Sequence, residues 1–125
     1  MRIREMGITV GRMEPGPLNK ISDVAGVTVG HATLDDGDIK TGVTAVMPCA
    51  DNPFFRNLTA SAHVLNGFGK TLGLMQIAEL GAIEPPIALP NTLSVGAVHD
   101  AMVGYMLDRC EGSFTSINPV VCECN

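Results

Sequence analysis

Glycine and proline occur along the whole length of this chain, and their distribution limits the fold more than any other sequence feature. The chain contains 14 glycines and 8 prolines, with no internal repeat and no low-complexity segment. Both residue types end helices and strands, so the pattern excludes a bundle of long helices and predicts many short elements joined by tight turns. A length of 125 residues fits one domain, because domains usually contain about 100–200 residues.

The composition excludes several classes of protein. Apolar residues make up 46% and charged residues 17% of the chain, which is typical of a folded protein and not of a disordered one. The formal net charge of −5 has the wrong sign for a phosphate-binding surface, so nucleic acid is not an expected partner. No apolar run approaches the roughly 18–20 residues that cross a bilayer, and no secretory signal opens the chain, so we expect a cytoplasmic protein without membrane contact.

The hydrophobic pattern predicts an α/β or α+β fold in which a sheet carries helices on one face. Apolar alternation and β-branched residues predict an antiparallel pair, formed by a strand centred on residues 27–29 and a strand at residues 40–47. Further strands are predicted at residues 61–66, 85–90 and 117–125. A short helix is predicted between Thr71, as its N-cap, and Gly81, as its C-cap.

The clearest predicted helix begins at Val95. Its apolar residues recur at helical spacing and define a buried face. This face consists of Val95, Val98, Met102, Tyr105 and Met106. Residues 92–96 also resemble a nucleophile elbow around Ser94, but Thr92 replaces the first glycine of that motif. We therefore expect Ser94 to cap the helix and not to act as a nucleophile.

A glycine-rich turn at residues 67–71 has some features of a phosphate-binding loop. Backbone amides ahead of a helix, together with Lys70, are able to hold an anion. The spacing does not match, because a Walker loop requires glycine where Val64 stands and a dinucleotide loop requires glycine where Leu72 stands. The segment is predicted to be a plain turn.

Histidine and cysteine supply the candidate bases and metal ligands. They are His31, His63 and His99 together with Cys49, Cys110, Cys122 and Cys124. The histidines have no metal-ligand spacing to one another or to a cysteine, and the cysteines match no zinc ribbon or finger. We expect the cysteines to be reduced, buried and apolar in behaviour, and we predict no metal site.

Glu123 lies between two cysteines in a segment that otherwise reads as an apolar strand. The strand period of two directs Cys122 and Cys124 to one face and Glu123 to the other. A carboxylate in such a strand is costly unless it pairs with a cation or opens on a cavity. The residues alone leave two interpretations open, a surface carboxylate on an exposed sheet face and a functional group in a cavity.

Several short segments, taken together and in order, resemble a known enzyme family. They are residues 15–19, 23–31, 41–45, 66–69, 71–74, 86–92, 94–96 and 119–123. In this order, across nearly the whole chain, they are similar to the self-processing serine aminopeptidases, which include L-aminopeptidase/D-esterases and β-peptidyl aminopeptidases.

This resemblance implies an α+β precursor folded as a four-layer α-β-β-α sandwich of the N-terminal nucleophile hydrolase type. Residues 1–125 would form the N-terminal portion of that single domain, which is incomplete without the rest. The precursor cuts itself before a serine, which becomes the nucleophile at the start of a second chain. The implied reaction removes N-terminal residues from short peptides, amides or esters through an acyl-enzyme, with neither metal nor organic cofactor.

The resemblance also implies partners and site residues. The downstream chain of the same precursor would supply the serine, and processed pairs are expected to form a homo-oligomer. Glu123 corresponds to the family carboxylate that receives the substrate's ammonium group by a charge-assisted hydrogen bond. Asn125 stands where family members place a polar side chain near the reacting carbonyl, so it is a candidate catalytic residue. Cys122 stands where the family usually has Gly or Ala.

Two other functions remain open at this point. A member of the same fold similar to ornithine acetyltransferase would transfer an acetyl group and use threonine as its nucleophile. A non-catalytic structural or regulatory fragment would be stable only when docked on a partner. The downstream sequence distinguishes the two enzymes, and a second polypeptide distinguishes both enzymes from the fragment.

Overall fold

A five-stranded mixed sheet lies at the centre of the fold in the computed structural model, which describes residues 2–84, 86–110 and 115–124. The strands are β1 (Thr28–Asp36), β2 (Ile39–Met47), β3 (Leu58–Thr59), β4 (Thr71–Leu72), β5 (Ala82–Ile83), β6 (Ile87–Pro90) and β7 (Val120–Cys122). The helices are α1 (Pro53–Arg56), α2 (Leu74–Leu80) and α3 (Val95–Arg109), with short 3-10 turns at Ile3–Met6, Ile21–Asp23 and Thr92–Ser94. The sheet order is β1-β2-β6-β7-β4, and β3 and β5 form a separate antiparallel pair. A mixed α+β fold is therefore confirmed.

The β1–β2 hairpin confirms the predicted antiparallel pair. Its register runs from Thr28 opposite Met47 to Asp36 opposite Ile39. The strands extend further toward the turn than the apolar pattern predicted, because the backbone hydrogen bonds of a ladder do not require apolar side chains. Gly37 in the two-residue turn has a φ of +52°, a conformation that glycine adopts without steric cost.

Strands β6 and β7 run parallel, with Ile87 opposite Val120 and Ala88 opposite Val121. Parallel neighbours need a long crossover connection, and helix α3 lies in that connection. The antiparallel strands β2 and β4 flank this pair. Parallel strands end at the same edge of a sheet. Pro90, the last residue of β6, and Cys122, the last residue of β7, therefore lie at the same edge.

Helix α3 covers one face of the sheet with the apolar face that the sequence predicted. Val95, Met102 and Met106 are buried, whereas Val98 and Tyr105 are half-buried. The first two pack against residues of β6 and β7. Within the described part of the chain, no helix combines the length and the apolar character that crossing a bilayer requires.

The opposite face of the sheet is covered by α2 and by the small β3–β5 pair. Val120 of β7 contacts Ile77 of α2 and Ile83 of β5, while its neighbour Val121 faces α3. Consecutive strand residues point to opposite faces, so β7 contributes to both apolar clusters. The expectation that helices lie on one face only is therefore wrong.

The predicted strand at residues 61–66 is also wrong. Residues 61–70 are exposed and contain no helix or strand. Small apolar residues favour a strand only where a neighbouring strand supplies backbone partners, and the β3–β5 pair ends before this segment. The segment is instead an exposed connection from β3 to β4.

The ends of the helices differ in part from the prediction. Thr71 belongs to β4 and is not the N-cap of α2, because Gly73, with a φ of +87°, separates the two elements. Gly81 is the C-cap of α2 as predicted, with a φ of +64°. Ser94 occupies the N-cap of α3 without a side-chain capping bond, and Asn91 Oδ1 accepts from the Ser94 backbone N–H at 3.1 Å instead.

The described chain exposes an unusually large surface for its mass. Its accessible surface is 9014 Å², whereas a compact monomer of this mass exposes about 6,400 Å². An apolar groove of about 430 Å³ contributes to the excess and is lined by β2, β6 and α3. Its apolar residues include Val43, Ala45, Met47, Ala88, Val98 and Met102.

Two methionines provide a matched test of the core. Met106 is 1% exposed, whereas Met75 is 89% exposed. We expect Met106→Ala to lower the free energy of unfolding by about 2–5 kcal/mol, because the truncation leaves a cavity. Met75→Ala should change it by less than about 0.5 kcal/mol. Urea denaturation followed by circular dichroism measures both variants, and equal effects would contradict the placement of Met106.

Two glycines test the contact between β7 and the start of α2. A Cβ at Gly73 would lie 2.2 Å from the carbonyl oxygen of Pro119, whereas a Cβ at Gly81 would meet no atom of the described residues within 4 Å. Both glycines have positive φ, so Gly81→Ala should cost about 1 kcal/mol through backbone strain alone. We expect Gly73→Ala to cost more than about 3 kcal/mol, since the backbone must also move apart. Similar midpoints of denaturation for the two variants would refute this contact.

Candidate functional site

The candidate site lies at the sheet edge where β6 and β7 end. Glu123 follows β7 directly, and its backbone N–H donates to the carbonyl oxygen of Lys70 at 3.0 Å. Because Thr71 pairs with Cys122 in the β4–β7 ladder, Lys70 stands opposite Glu123, one step beyond the ladder. Crevices outside the carboxyl ends of parallel strands are common binding positions in α/β sheets.

Glu123 opens on a cleft of about 550 Å³. The connection from β3 to β4 forms one wall of the cleft, and β4, α2 and β7 contribute the rest. The lining residues are Ala62, His63, Val64, Leu65, Asn66, Phe68, Gly69, Thr71, Leu74, Cys122 and Glu123. Glu123 is thus a half-buried carboxylate that lines an open, mainly apolar cleft.

One carboxylate oxygen of Glu123 is left without a donor. Oε2 is buried and accepts no hydrogen bond from any group in the described part of the chain. The ion pairs found among these residues join Lys40 to Asp35 and Arg56 to Asp51. A buried acceptor without a donor costs about 1–3 kcal/mol, and more when it is charged. The carboxylate of Glu123 is therefore not fully compensated by the described residues.

The turn at residues 66–70 forms the part of the cleft wall nearest to Glu123. A Cβ at Gly69 would lie 3.7 Å from Glu123 Oε1, so glycine keeps the space beside the carboxylate open. Asn66 Oδ1 accepts from the Phe68 backbone N–H at 3.0 Å. Lys70 Nζ donates to the Phe68 carbonyl oxygen at 2.8 Å and lies 4.3 Å from the centroid of the Phe68 ring.

The sequence predicts a plain turn here and does not indicate that the turn lies beside Glu123. The missing information is the pairing of Thr71 with Cys122, which joins two segments about fifty residues apart. A two-residue strand has too short a pattern to predict its partner.

The histidines and Ser94 lie in separate places. His63 is exposed and lines the Glu123 cleft. His31 lies on β1, where its Nδ1 shares a hydrogen bond of 2.8 Å with Thr44 Oγ1, and His99 lies half-buried on α3. Ser94 stands at the start of α3 and does not line the Glu123 cleft. Among the described residues, no three His, Cys, Asp or Glu side chains are grouped to hold a metal ion.

The cysteines are free thiols, but they are not uniformly buried as expected. Cys110 is buried, Cys49 and Cys122 are half-buried, and Cys124 is exposed. Burial raises the pKa of the Cys122 thiol by desolvation, so this group is less readily ionised than an exposed thiol. The strand ends at Cys122, and the expected shared face of Cys122 and Cys124 remains a prediction. Cys122 and Glu123 both line the cleft.

Asn125, the candidate catalytic residue, lies outside the described residues. Its predicted place near a reacting carbonyl remains a prediction.

Known proteins resemble this chain in sequence along nearly its whole length. Residues 19–125 match Peptidase family S58. The beta-peptidyl aminopeptidase BapA of Sphingosinicella xenopeptidilytica is 36% identical over 133 aligned positions, which cover 98% of this chain and 33% of that protein. The chain thus spans about a third of the length of the curated relatives that it matches.

Solved structures agree with this fold. The Burkholderia sp. beta-aminopeptidase has a TM-score of 0.90 at 43% identity, over 99% of this chain and 36% of that one. The L-aminopeptidase D-Ala-esterase/amidase of Ochrobactrum anthropi has a TM-score of 0.80 at 30% identity, over 98% of this chain and 37% of that one. It is described as a prototype of the serine aminopeptidases and a variant of the Ntn hydrolase fold.

The names of these relatives do not favour an acetyltransferase. The match to the family over residues 19–125 agrees with the sequence relatives and with the similar backbones of the solved structures. Together with the ordered segments found in the sequence, they show that this chain belongs to peptidase family S58.

Proposed function

We propose that this chain is the N-terminal portion of a serine aminopeptidase and that Glu123 binds the free amino group of the substrate. The observation that carries the proposal is the carboxylate of Glu123, which lines a cleft and has one buried oxygen, Oε2, that lacks a donor within the described residues. An exopeptidase must distinguish a free N-terminus from an internal amide. A carboxylate does so, because an ammonium group brings a positive charge to the hydrogen bond, whereas an amide N–H is neutral.

The nucleophile in this proposal lies in polypeptide outside residues 1–125. Self-cleavage of a precursor would release a serine as the first residue of a second chain. Its hydroxyl oxygen would attack the carbonyl carbon of the substrate's first residue, while its own α-amine accepts the hydroxyl proton and passes it to the leaving amine. Water would then hydrolyse the acyl-enzyme ester. Glu123 would hold the ammonium of the acyl group during both steps, and Asn125 would lie near the reacting carbonyl.

The second chain would also complete the fold. We propose that it packs on the five-stranded sheet to form the four-layer α-β-β-α sandwich, to which residues 1–125 contribute the N-terminal portion. The accessible surface of 9014 Å² supports this proposal, because it exceeds by about 40% what a compact monomer of this mass exposes. The apolar groove between α3 and β2 offers surface for such packing. A homo-oligomer of processed pairs and a cytoplasmic location remain predictions.

The role of Glu123 is tested in the full-length enzyme with Glu123→Gln. The substitution keeps the shape of the side chain and removes its charge. We expect kcat/KM for an alanine p-nitroanilide with a free amine to fall about tenfold to one hundredfold, which corresponds to the loss of a hydrogen bond to a charged group. Self-cleavage should continue, because it involves no free substrate amine.

Glu79→Gln is the matched control, since Glu79 is exposed on α2 and does not line the cleft. It should leave kcat/KM unchanged. The N-acetylated form of the same anilide should be a poor substrate for the parent enzyme and for both variants. If Glu123→Gln keeps the parent kcat/KM on the free amine, Glu123 does not bind the ammonium group.

The composition of the native protein tests where the nucleophile lies. Expression of the full-length gene followed by intact-mass and N-terminal analysis should give two polypeptides, of which the second begins with serine. Replacement of that serine by alanine should leave one uncut precursor. A second polypeptide that begins with threonine would favour the acetyltransferase, and a single active polypeptide would contradict self-processing.

A further inference from the structure

Lys70 and Glu123 stand opposite each other across the end of the β4–β7 pair, yet they form no ion pair. The Glu123 backbone N–H donates to the Lys70 carbonyl oxygen at 3.0 Å. Side chains opposite each other on antiparallel strands have Cβ atoms about 4.5–5.5 Å apart, and opposite charges in such positions attract. The ion pairs among the described residues lie elsewhere, and Glu123 Oε2 has no donor.

The ammonium group of Lys70 is held by Phe68 instead. Nζ donates to the Phe68 carbonyl oxygen at 2.8 Å and lies 4.3 Å from the centroid of the Phe68 ring. The hydrogen bond from the Phe68 backbone N–H to Asn66 Oδ1, at 3.0 Å, orders the turn that presents the ring. Phe68 is 81% exposed, so burial in a core does not account for an aromatic residue here.

We propose that Phe68 is a positioning residue that keeps the Lys70 ammonium away from Glu123 and so leaves the carboxylate unpaired for the substrate. This inference rests on the proposed function, in which Glu123 binds the substrate's ammonium group. The Lys70 and substrate ammonium groups have the same charge and compete for the same oxygens. Without the aromatic ring, the flexible lysine side chain would pair with Glu123, and the substrate would have to displace it.

Phe68→Leu in the full-length enzyme tests this inference, because leucine keeps apolar bulk and removes the π face. We expect KM for the free-amine anilide to rise about two- to tenfold, which corresponds to the strength of a cation–π interaction. The value of kcat should stay nearly constant, since the loss concerns binding. Added salt should reduce the rise in KM, because it screens the new pair between Lys70 and Glu123.

Rescue variants show whether Phe68 acts by positioning Lys70 or by contacting the substrate directly. Phe68→Tyr retains an aromatic face and should keep the parent KM. Adding Lys70→Met to Phe68→Leu removes the competing ammonium and should return KM to near the parent value. Phe55→Leu is the matched control, because Phe55 is also exposed, at 66%, and does not line the cleft.

A double variant whose KM stays as high as that of Phe68→Leu would overturn the inference, since the effect would then not pass through Lys70. A Phe68→Leu variant with the parent KM would overturn it as well. Either result leaves the effect of Glu123→Gln intact if Glu123 binds the amine. The failure of this inference is thereby distinguishable from the failure of the proposed function.

Discussion

The pairing of β7 on both of its edges is the constraint on which the site depends. β7 has three residues, and it lies parallel to β6 and antiparallel to β4. Val120 and Val121 are 2% and 0% exposed, and they belong to apolar clusters on opposite faces of the sheet. A slip of one residue would exchange the two faces, so the register is strongly specified. The same register places Glu123 just beyond the sheet edge, opposite Lys70.

The chemistry at this edge depends on the carboxylate of Glu123, which forms no ion pair with the described residues. A carboxylate with a buried oxygen attracts any nearby cation, and Lys70 is a cross-strand neighbour. The turn at residues 66–70 directs that ammonium to an aromatic ring, and Gly69 keeps the space beside the carboxylate open. The exposed connection between β3 and β4 therefore contributes more to the site than its lack of regular structure suggests, as is common for loops held by a rigid sheet.

The proposed second chain would cover part of the large exposed surface of this chain. An apolar groove that faces water contributes no burial free energy to offset the entropy of ordering the chain. Packing against further polypeptide would bury that groove and enclose the Glu123 cleft. Stability and recognition of the substrate would then depend on the same assembly.

Local features of the chain were predictable from the sequence because their signals lie within a few residues. The period of α3 predicted its buried face, Gly81 predicted the end of α2, and β-branched alternation predicted the β1–β2 pair. The ordered segments also identified the family, although the roles proposed for Glu123 and Asn125 came with the resemblance and not from the pattern.

Contacts between distant segments were decided by the tertiary structure alone. The strand predicted at residues 61–66 found no partner, whereas Thr71–Leu72 pairs with β7 through only two residues. Whether Glu123 faces water or a cleft depends on that pairing, because β4 brings the turn at residues 66–70 beside the carboxylate. The sequence by itself determined the longer elements, α3 and the β1–β2 pair, since periodicity and capping act locally. Only the folded chain decided which strand edges meet, because that choice depends on the burial of side chains far apart in sequence.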